Sequence, residues 1–175
     1  MTQYRRARIP GGTYFFTQAL ADRQSQLLVE HIEHLRNCIR TVRTQHPFVI
    51  DAMVVLPDHL HCLRTLPEQD ADFSTRWSLI KSSFSRGIKT GERRSVSRVK
   101  RQERGIWQRR FWEHVIRDEA DFATHVDYIH FNPVKHGLTE HAVAWPHSSL
   151  HRFIRDGRCD AAWSAPDLVT RLDLD

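Results

Sequence analysis

Apolar residues along the chain follow two spacings, one typical of strands and one typical of helices. Residues 13–17 are rich in β-branched and aromatic types and predict a first strand. Apolar residues then recur every three or four positions, which predicts an amphipathic helix with a buried stripe at Leu28, Ile32, Leu35, Ile39 and Val42. A His-Pro pair at 46–47 ends this helix. Residues 48–56 and 59–66 predict two further strands, joined by a Pro-Asp turn.

The second half of the chain predicts a helix, a strand and one further helix. A buried stripe marks the first of these helices from residue 73 to 88, at Phe73, Trp77, Ile80, Phe84 and Ile88. Residues 92–105 are basic and have few apolar side chains, so we expect a mobile loop that becomes ordered only on a ligand. Residues 105–116 predict a fourth strand. Asp118 can cap the last helix, which carries Asp121 in its first turn.

The predicted order of elements is strand, helix, strand, strand, helix, strand, helix. This order matches the split βαβ plan of ferredoxin-like domains, with one extra helix. We therefore predict an α+β fold in which helices cover one face of an antiparallel sheet and an extra C-terminal helix carries Tyr128. We expect one domain over residues 1–155. An acidic tail with five Asp follows over residues 156–175, and it packs loosely or covers basic surface.

Positive charge is concentrated in the middle of the chain. The formal net charge is +5, and 13 of the 26 Lys and Arg residues lie between Arg76 and Arg117, where there are three Glu and no Asp. A stretch this basic makes an anionic partner plausible. The alternative is a solvated face or a flexible loop without a ligand.

The cysteines and the hydropathy indicate the setting in which the protein works. Three scattered cysteines are too few for a disulfide framework, so we expect a reduced, cytoplasmic environment. No apolar run approaches the roughly 20 residues that cross a bilayer, so no membrane partner is expected. The basic N-terminus lacks the apolar segment of a signal peptide.

Two histidines, His59 and His61, open the third predicted strand. Side chains alternate across a strand, so both imidazoles leave the same face while Leu60 points the other way. Two imidazoles side by side are half of a metal site. Taken alone, a His-x-His pair on a strand more often has a structural or surface role than a metal-binding one.

The last predicted helix carries a tyrosine and an asparagine one turn apart. At about 100° per residue, His125, Tyr128 and Asn132 share an arc of about 60° beside the core stripe. We expect them to face a site at the edge of the sheet. Pro133 biases Asn132 away from helical geometry, so the last turn is expected to bend there.

The residue types in these two segments suit the chemistry of a phosphodiester. A cation held by His59, His61 and Asn132 would offset the phosphate charge and fix the group for an in-line displacement. A tyrosine hydroxyl has an unperturbed pKa of about 10 and becomes a nucleophile when its proton is removed or its oxyanion is stabilised. The pattern therefore suggests cleavage of a nucleic-acid strand by Tyr128, with Lys135 as a candidate contact to phosphate.

Four segments of the chain, in consistent order from about Arg5 to Arg155, resemble the REP-associated tyrosine transposases. These are bacterial relatives of single-strand insertion-sequence transposases in the HUH endonuclease superfamily. The segments are residues 10–17 (PGGTYFFT), 56–61 (LPDHLH), 107–114 (WQRRFWEH) and 127–138 (DYIHFNPVKHGL). The last of these, which contains the tyrosine, is the most specific.

The resemblance implies a ferredoxin-like nuclease domain that cleaves single-stranded DNA near hairpins formed by repetitive extragenic palindromes. By the family pattern, His59 and His61 are metal ligands, Tyr128 is the nucleophile and Asn132 matches the third ligand. The metal implied is Mg²⁺ or Mn²⁺. Arg64 stands where many members have an aromatic residue.

The family pattern also implies where DNA binds. The partner is single-stranded or hairpin DNA, and the protein is expected to act as a monomer or a homodimer. The surfaces implied are the basic leader and the segment from Arg93 to Arg110, and Lys135 adds the candidate phosphate contact at the end of the last helix. The residues assigned to DNA binding are Arg5, Arg6, Arg8, Arg93, Arg94, Arg109, Arg110 and Lys135.

Two other functions are compatible with the same residues. The first is a DNA-binding protein that retains the transposase fold without catalysis. The second is a zinc hydrolase built on the histidine pair, which ranks last because no carboxylate lies at a suitable ligand spacing. We therefore favour a metal-dependent endonuclease and strand transferase that uses Tyr128.

Overall fold

The computed structural model describes residues 7–91 and 94–174. These residues form a four-stranded sheet from β1 (Thr13–Ala19), β2 (Val49–Val55), β3 (His59–Thr65) and β4 (Trp112–Val115). The accompanying α-helices are α1 (Leu27–Glu30), α2 (Ile32–Gln45), α3 (Phe73–Gly87), α4 (Val96–Lys100), α5 (Glu119–Lys135), α6 (Leu150–Arg155) and α7 (Asp167–Thr170). A short 3-10 helix spans Ala142–Ala144. Within the described residues, no helix is both long and apolar enough to cross a membrane.

The sheet confirms the ferredoxin-like prediction. Its order is β2-β3-β1-β4, with every neighbouring pair antiparallel and the strands β1 and β3 in the centre. The helices α2 and α3 pack together on one face, as in the split βαβ plan.

Both faces of the sheet are covered, so the prediction of helices on one face was incomplete. Successive residues Tyr14, Phe15 and Phe16 of β1 are all fully buried. Since neighbouring side chains leave opposite faces of a strand, each face must be covered by other elements. Tyr14 and Phe16 pack in the core that holds α2 and α3, whereas Phe15 packs in a second core with residues of α5. The helix that carries Tyr128 therefore lies on the face opposite α2 and α3.

The basic segment after α3 is not the mobile loop that we predicted. Residues 96–100 form the helix α4. Arg98 donates to the carbonyl of Gly105, and Arg104 donates to the carbonyls of Ser85 and Ile88 near the end of α3. These arginines attach the segment to the domain through backbone oxygens, which composition alone does not indicate. The strand that follows is also shorter than predicted, because only Trp112–Val115 pairs with β1.

The helix α5 begins where its predicted cap lies and continues past its proline. The Asp118 carboxylate accepts from the backbone N–H of Asp121 at 2.8 Å, as an N-cap does. The helix includes Pro133 and runs on to Lys135, so Asn132 keeps its helical position. Gly137 then adopts a φ of +65°, the left-handed conformation that commonly ends a helix.

The C-terminal tail packs against α5, so loose packing was the wrong expectation. Val169 of α7 is 2% exposed, and Leu172 and Leu174 pack beside it on the second core. The Asp173 carboxylate lies 2.9 Å from the ammonium of Lys135. The tail thus covers the basic side chain of Lys135, as the alternative prediction stated.

Candidate active site and nucleic-acid groove

The two histidines of β3 lie on one face of the sheet with their rings side by side. The ring centroids of His59 and His61 are 5.0 Å apart, and the rings are nearly perpendicular. Both side chains are buried, at 1% and 0% exposure. A cavity of about 410 Å³ opens beside His59 and is also lined by Asp58 and His136.

Hydrogen bonds to the Nδ1 atoms set the tautomer of each histidine. Nδ1 of His59 lies 2.8 Å from a carboxylate oxygen of Asp58. Burial raises the pKa of Asp58, but the hydrogen bond from His59 and the charge of Arg23 bring it below its ordinary value, so the carboxylate is an acceptor. Nδ1 of His61 lies 2.9 Å from the hydroxyl of Thr17, which itself donates to the carbonyl of Leu174.

Both imidazoles therefore carry their hydrogen on Nδ1. Asp58 can only accept from His59, and the Thr17 hydroxyl has already given its one hydrogen to Leu174 and so accepts from His61. In a neutral imidazole of this tautomer, Nε2 holds the lone pair that a metal ion takes. Oriented by these partners, the pair is suited to bind a cation through Nε2.

The nucleophile candidate, Tyr128, lies directly beside the histidine pair. Its side chain is fully buried, and its ring centroid is 5.4 Å from that of His61 and 6.0 Å from that of Phe15. The hydroxyl accepts from Nζ of Lys135 at 2.9 Å and from the backbone N–H of Leu174 at 3.1 Å. An ammonium in hydrogen-bond contact with the phenolic oxygen stabilises the phenolate, the nucleophilic form.

Asn132 lies between the two contacts that α5 makes with the histidines. Tyr128, one turn before it, contacts His61, whereas His136, one turn after it, has its ring centroid 4.9 Å from that of His59. Asn132 is fully buried, and its carboxamide oxygen and nitrogen have no hydrogen-bond partner among the described residues. Such a group costs free energy unless a ligand satisfies it.

The structure thus places Tyr128 beside His61, and Asn132 lies in the chain between the residues whose rings contact the two histidines. Two imidazoles and a buried carboxamide oxygen are donors that fit a divalent cation of the Mg²⁺ or Mn²⁺ type. One part of the prediction was wrong: His125, Tyr128 and Asn132 face the broad side of the sheet, whereas we expected them to face its edge. The cause is the second core, which seats α5 across Phe15 and the neighbouring strands.

A cluster of His114, Asp121 and His125 fixes α5 to β4. Asp121 accepts from His114 at 2.8 Å and lies 3.1 Å from both Arg117 and His125. Burial raises the pKa of Asp121, but the hydrogen bonds from His114 and Arg117 lower it to about 2. From the sequence, Asp121 was expected only to stabilise the first turn of α5. Its hydrogen bond to His114 was not predicted, because it depends on how β4 and α5 pack.

A groove of about 670 Å³ lies between α3 and residues 101–111. Serines of α3 line one wall, and aromatic residues of the core also line the groove. The cationic residues that line it are Lys81, Arg86, Arg101, Arg104 and Arg109. Cations beside hydroxyl donors provide the contacts that nucleic-acid phosphates accept. The regular spacing of these serines along α3 is visible in the sequence, but we did not use it to predict the groove.

The arginines assigned to DNA binding are distributed unevenly over the molecule. Arg109 lines the groove, and Arg8, Arg94 and Arg110 are exposed outside it. Arg5, Arg6 and Arg93 lie outside the described residues.

Arg64 is buried in the core and is unavailable to DNA. Its guanidinium carbon lies 4.6–4.9 Å from the ring centroids of Phe16, Phe48 and Trp77. Burial lowers the pKa of Arg64 to about 10. Arg64 therefore packs among aromatic rings rather than contacting a ligand.

A ferredoxin-like sheet that carries a His-x-His pair beside a helix-borne tyrosine defines the class of tyrosine transposases. Residues 12–132 match the sequence profile of the family described as Transposase IS200 like. The chain belongs to this family and is an enzyme of the tyrosine transposase type.

Known relatives agree with this assignment over almost the whole chain. The REP-associated tyrosine transposase of Escherichia coli K12 is 46% identical over 166 residues, which are 94% of this chain and 92% of the relative. A relative from Haemophilus influenzae is 42% identical over 176 residues and is covered over its full length. The solved structure of a REP-associated tyrosine transposase bound to a REP hairpin superposes with a TM-score of 0.83 at 45% identity, over 95% of this chain and 93% of that one.

Proposed function

We propose that this protein is a metal-dependent single-strand DNA endonuclease and strand transferase that acts next to REP hairpins through a covalent phosphotyrosine. The observation that carries the proposal is the position of Tyr128, whose hydroxyl meets the Lys135 ammonium at 2.9 Å while its ring lies 5.4 Å from that of His61. The names of the relatives support the substrate, since one is a REP-associated tyrosine transposase and one is bound to a REP hairpin.

His59, His61 and Asn132 are the residues that would hold the divalent cation. When bound, such a cation offsets the negative charge of the scissile phosphate and helps to align it for displacement. The protein's own part is orientation: Asp58 and Thr17 hold the two imidazoles, and the buried α5 holds the carboxamide. Second-sphere partners of this kind commonly change metal affinity by about 10- to 100-fold.

The covalent step uses Tyr128 and conserves a phosphodiester-type bond. The Tyr128 hydroxyl gives up its proton to solvent, and the phenolic oxygen forms a bond to phosphorus as the bond from phosphorus to a sugar oxygen breaks. That sugar oxygen takes up a proton from solvent, so protons balance. Lys135 favours the phenolate before attack through its ammonium. The reverse reaction, attack of a sugar hydroxyl on the phosphotyrosine, rejoins a strand without a further energy source.

The C-terminal residues occupy the position that the scissile phosphate needs. The backbone N–H of Leu174 donates to the Tyr128 hydroxyl, and its carbonyl accepts from Thr17. Asp173 also pairs with Lys135 at 2.9 Å. DNA must therefore displace residues 172–174 before the tyrosine can reach phosphorus.

The groove between α3 and residues 101–111 is the surface that suits a DNA hairpin. It offers cations and hydroxyls along one helix, and contacts of this kind are made to the sugar-phosphate backbone. Lys81, which lines the groove, lies 5.5 Å from the ring centroid of Trp107, a contact that favours its charged form. We assign backbone contacts of the hairpin stem to this groove.

Incubation with a labelled REP hairpin oligonucleotide that carries single-stranded flanks tests the proposal. In Mg²⁺ or Mn²⁺ we expect a protein-DNA adduct that survives denaturation and is lost in Tyr128→Phe. Tyr14→Phe is the matched control, because Tyr14 is also fully buried and its hydroxyl bonds to the backbone of Ile9. Binding without an adduct in either metal would instead identify a hairpin-binding protein without catalysis.

A further inference from the structure

Trp112 is an exposed aromatic side chain on the same face of the sheet as the active site. We propose that it is the stacking platform for an unpaired base of the DNA strand, within about three nucleotides of the phosphate that Tyr128 attacks. The inference rests on the proposed function and adds a residue that positions its substrate. Trp112 is 42% exposed, whereas the neighbouring Trp107 is 8% exposed and packs in the core.

The sheet register places Trp112 in line with the metal-binding pair. Thr17 of the central strand is the direct partner of His61 on one side and of Trp112 on the other. Directly paired residues project from the same face, so all three side chains lie in one row. Two strand spacings give a separation of roughly 10 Å between the outer backbones. Since stacked nucleotides advance about 3.4 Å each, this separation corresponds to about three nucleotides.

The indole of Trp112 is held in place before any base arrives. Its ring is parallel to that of His114 within 6°, with centroids 6.0 Å apart, and His114 stacks in turn on His125 at 4.7 Å. The Asp121 carboxylate accepts from His114, and the backbone carbonyl of Asp121 accepts from Nδ1 of His125. Phe15 also meets the indole edge-on at 5.6 Å. A ring that is already oriented loses little conformational entropy when a base stacks on it.

The C-terminal tail shows that a chain segment fits between the Tyr128 hydroxyl and this row of side chains. Leu174 bonds to the Tyr128 hydroxyl with its N–H and to Thr17 with its carbonyl, so its backbone crosses from one to the other. Thr17 is the residue between His61 and Trp112 in the register. A DNA strand that displaces the tail along this path arrives beside the indole.

Binding measurements with abasic sites test the stacking role. The probe is a REP hairpin oligonucleotide with single-stranded flanks, in which one base at a time is removed, and the protein carries Tyr128→Phe so that no cleavage occurs. We expect one flank position at which base removal weakens binding by about 5- to 150-fold, the range for stacking of one base on an aromatic ring. Trp112→Ala should abolish that sensitivity, and Trp112→Phe should retain part of it.

A hairpin without flanks is the control, since the groove beside α3 can bind it without Trp112. Trp112→Ala should bind this probe as its parent does, and an unchanged melting temperature should show that the exposed side chain is not needed for folding. The inference would be overturned if Trp112→Ala and its parent bound the flanked hairpin with equal affinity. It would also be overturned if removal of a base still weakened binding in Trp112→Ala. Failure of the wild-type protein to bind either probe would overturn the proposed function as well.

Discussion

Replacement of Lys135 by glutamine should slow formation of the phosphotyrosine adduct without weakening DNA binding to the same extent. The ammonium lies 2.9 Å from the Tyr128 hydroxyl and is 19% exposed, so water screens it only in part. A hydrogen bond from a charged group is worth about 1.5–3 kcal/mol. If that stabilisation develops mainly on the phenolate, its loss lowers the rate by about 10- to 150-fold.

The assay is single-turnover adduct formation with saturating DNA and metal. Glutamine can still donate a hydrogen bond, so Lys135→Gln removes mainly the charge, and Lys135→Arg should restore part of the rate. Lys89→Gln is the control, because it removes the same charge from an exposed position near the end of α3. A rate for Lys135→Gln within a factor of about two of wild type would refute this reasoning. A normal rate with weakened binding would make Lys135 a phosphate contact instead.

Three further predictions concern the tail, the pH dependence of stability and the DNA surface. Removal of residues 172–175 should speed adduct formation by at least about fivefold, because two hydrogen bonds and an ion pair no longer compete with DNA; an unchanged rate would contradict this. Burial lowers the pKa of His130 to about 4. An unfolded histidine takes up its proton near pH 6.5, so in urea unfolding experiments the free energy of unfolding should fall as the pH drops from about 6.5 towards 4. His130→Gln should flatten this pH dependence. An equal pH dependence in both proteins would argue against this role of His130. Hairpin binding should weaken steeply with salt, and Arg101→Ala should reduce the slope of log Kd against log salt by about one; an unaltered slope would place the DNA elsewhere.

The grouping of the candidate site residues was predictable because these residues are close in sequence or share a regular element. The alternation of a strand places His59 and His61 together, and helical spacing places Tyr128 and Asn132 on one side of α5. The structure adds the partners that orient them. Asp58 directly precedes His59 in the sequence. Thr17, in contrast, is 44 residues from His61, and its contact with His61 depends on strand register.

The face on which α5 lies and the path of the tail could not be predicted in the same way. Three successive buried residues in β1 imply two covered faces, although the aromatic run indicated only a strand. The tail combines acidic and apolar residues, and its charge suggested a loose segment. Burial of Val169 and the apolar contacts of Leu172 and Leu174 determined its position instead. The conformation of the basic segment after α3 likewise depends on which backbone carbonyls Arg98 and Arg104 contact, and the sequence does not indicate these contacts.

The most direct test of the central claim is to locate the covalent bond to DNA by mass spectrometry. The chain has three tyrosines, at positions 4, 14 and 128, and cleavage after Lys and Arg puts each of them on a different peptide. After reaction with the flanked REP hairpin and nuclease trimming, the nucleotide should be found on the peptide of residues 118–135, attached to Tyr128. A nucleotide on another residue, or strand cleavage with no nucleotide on any peptide, would contradict the tyrosine mechanism.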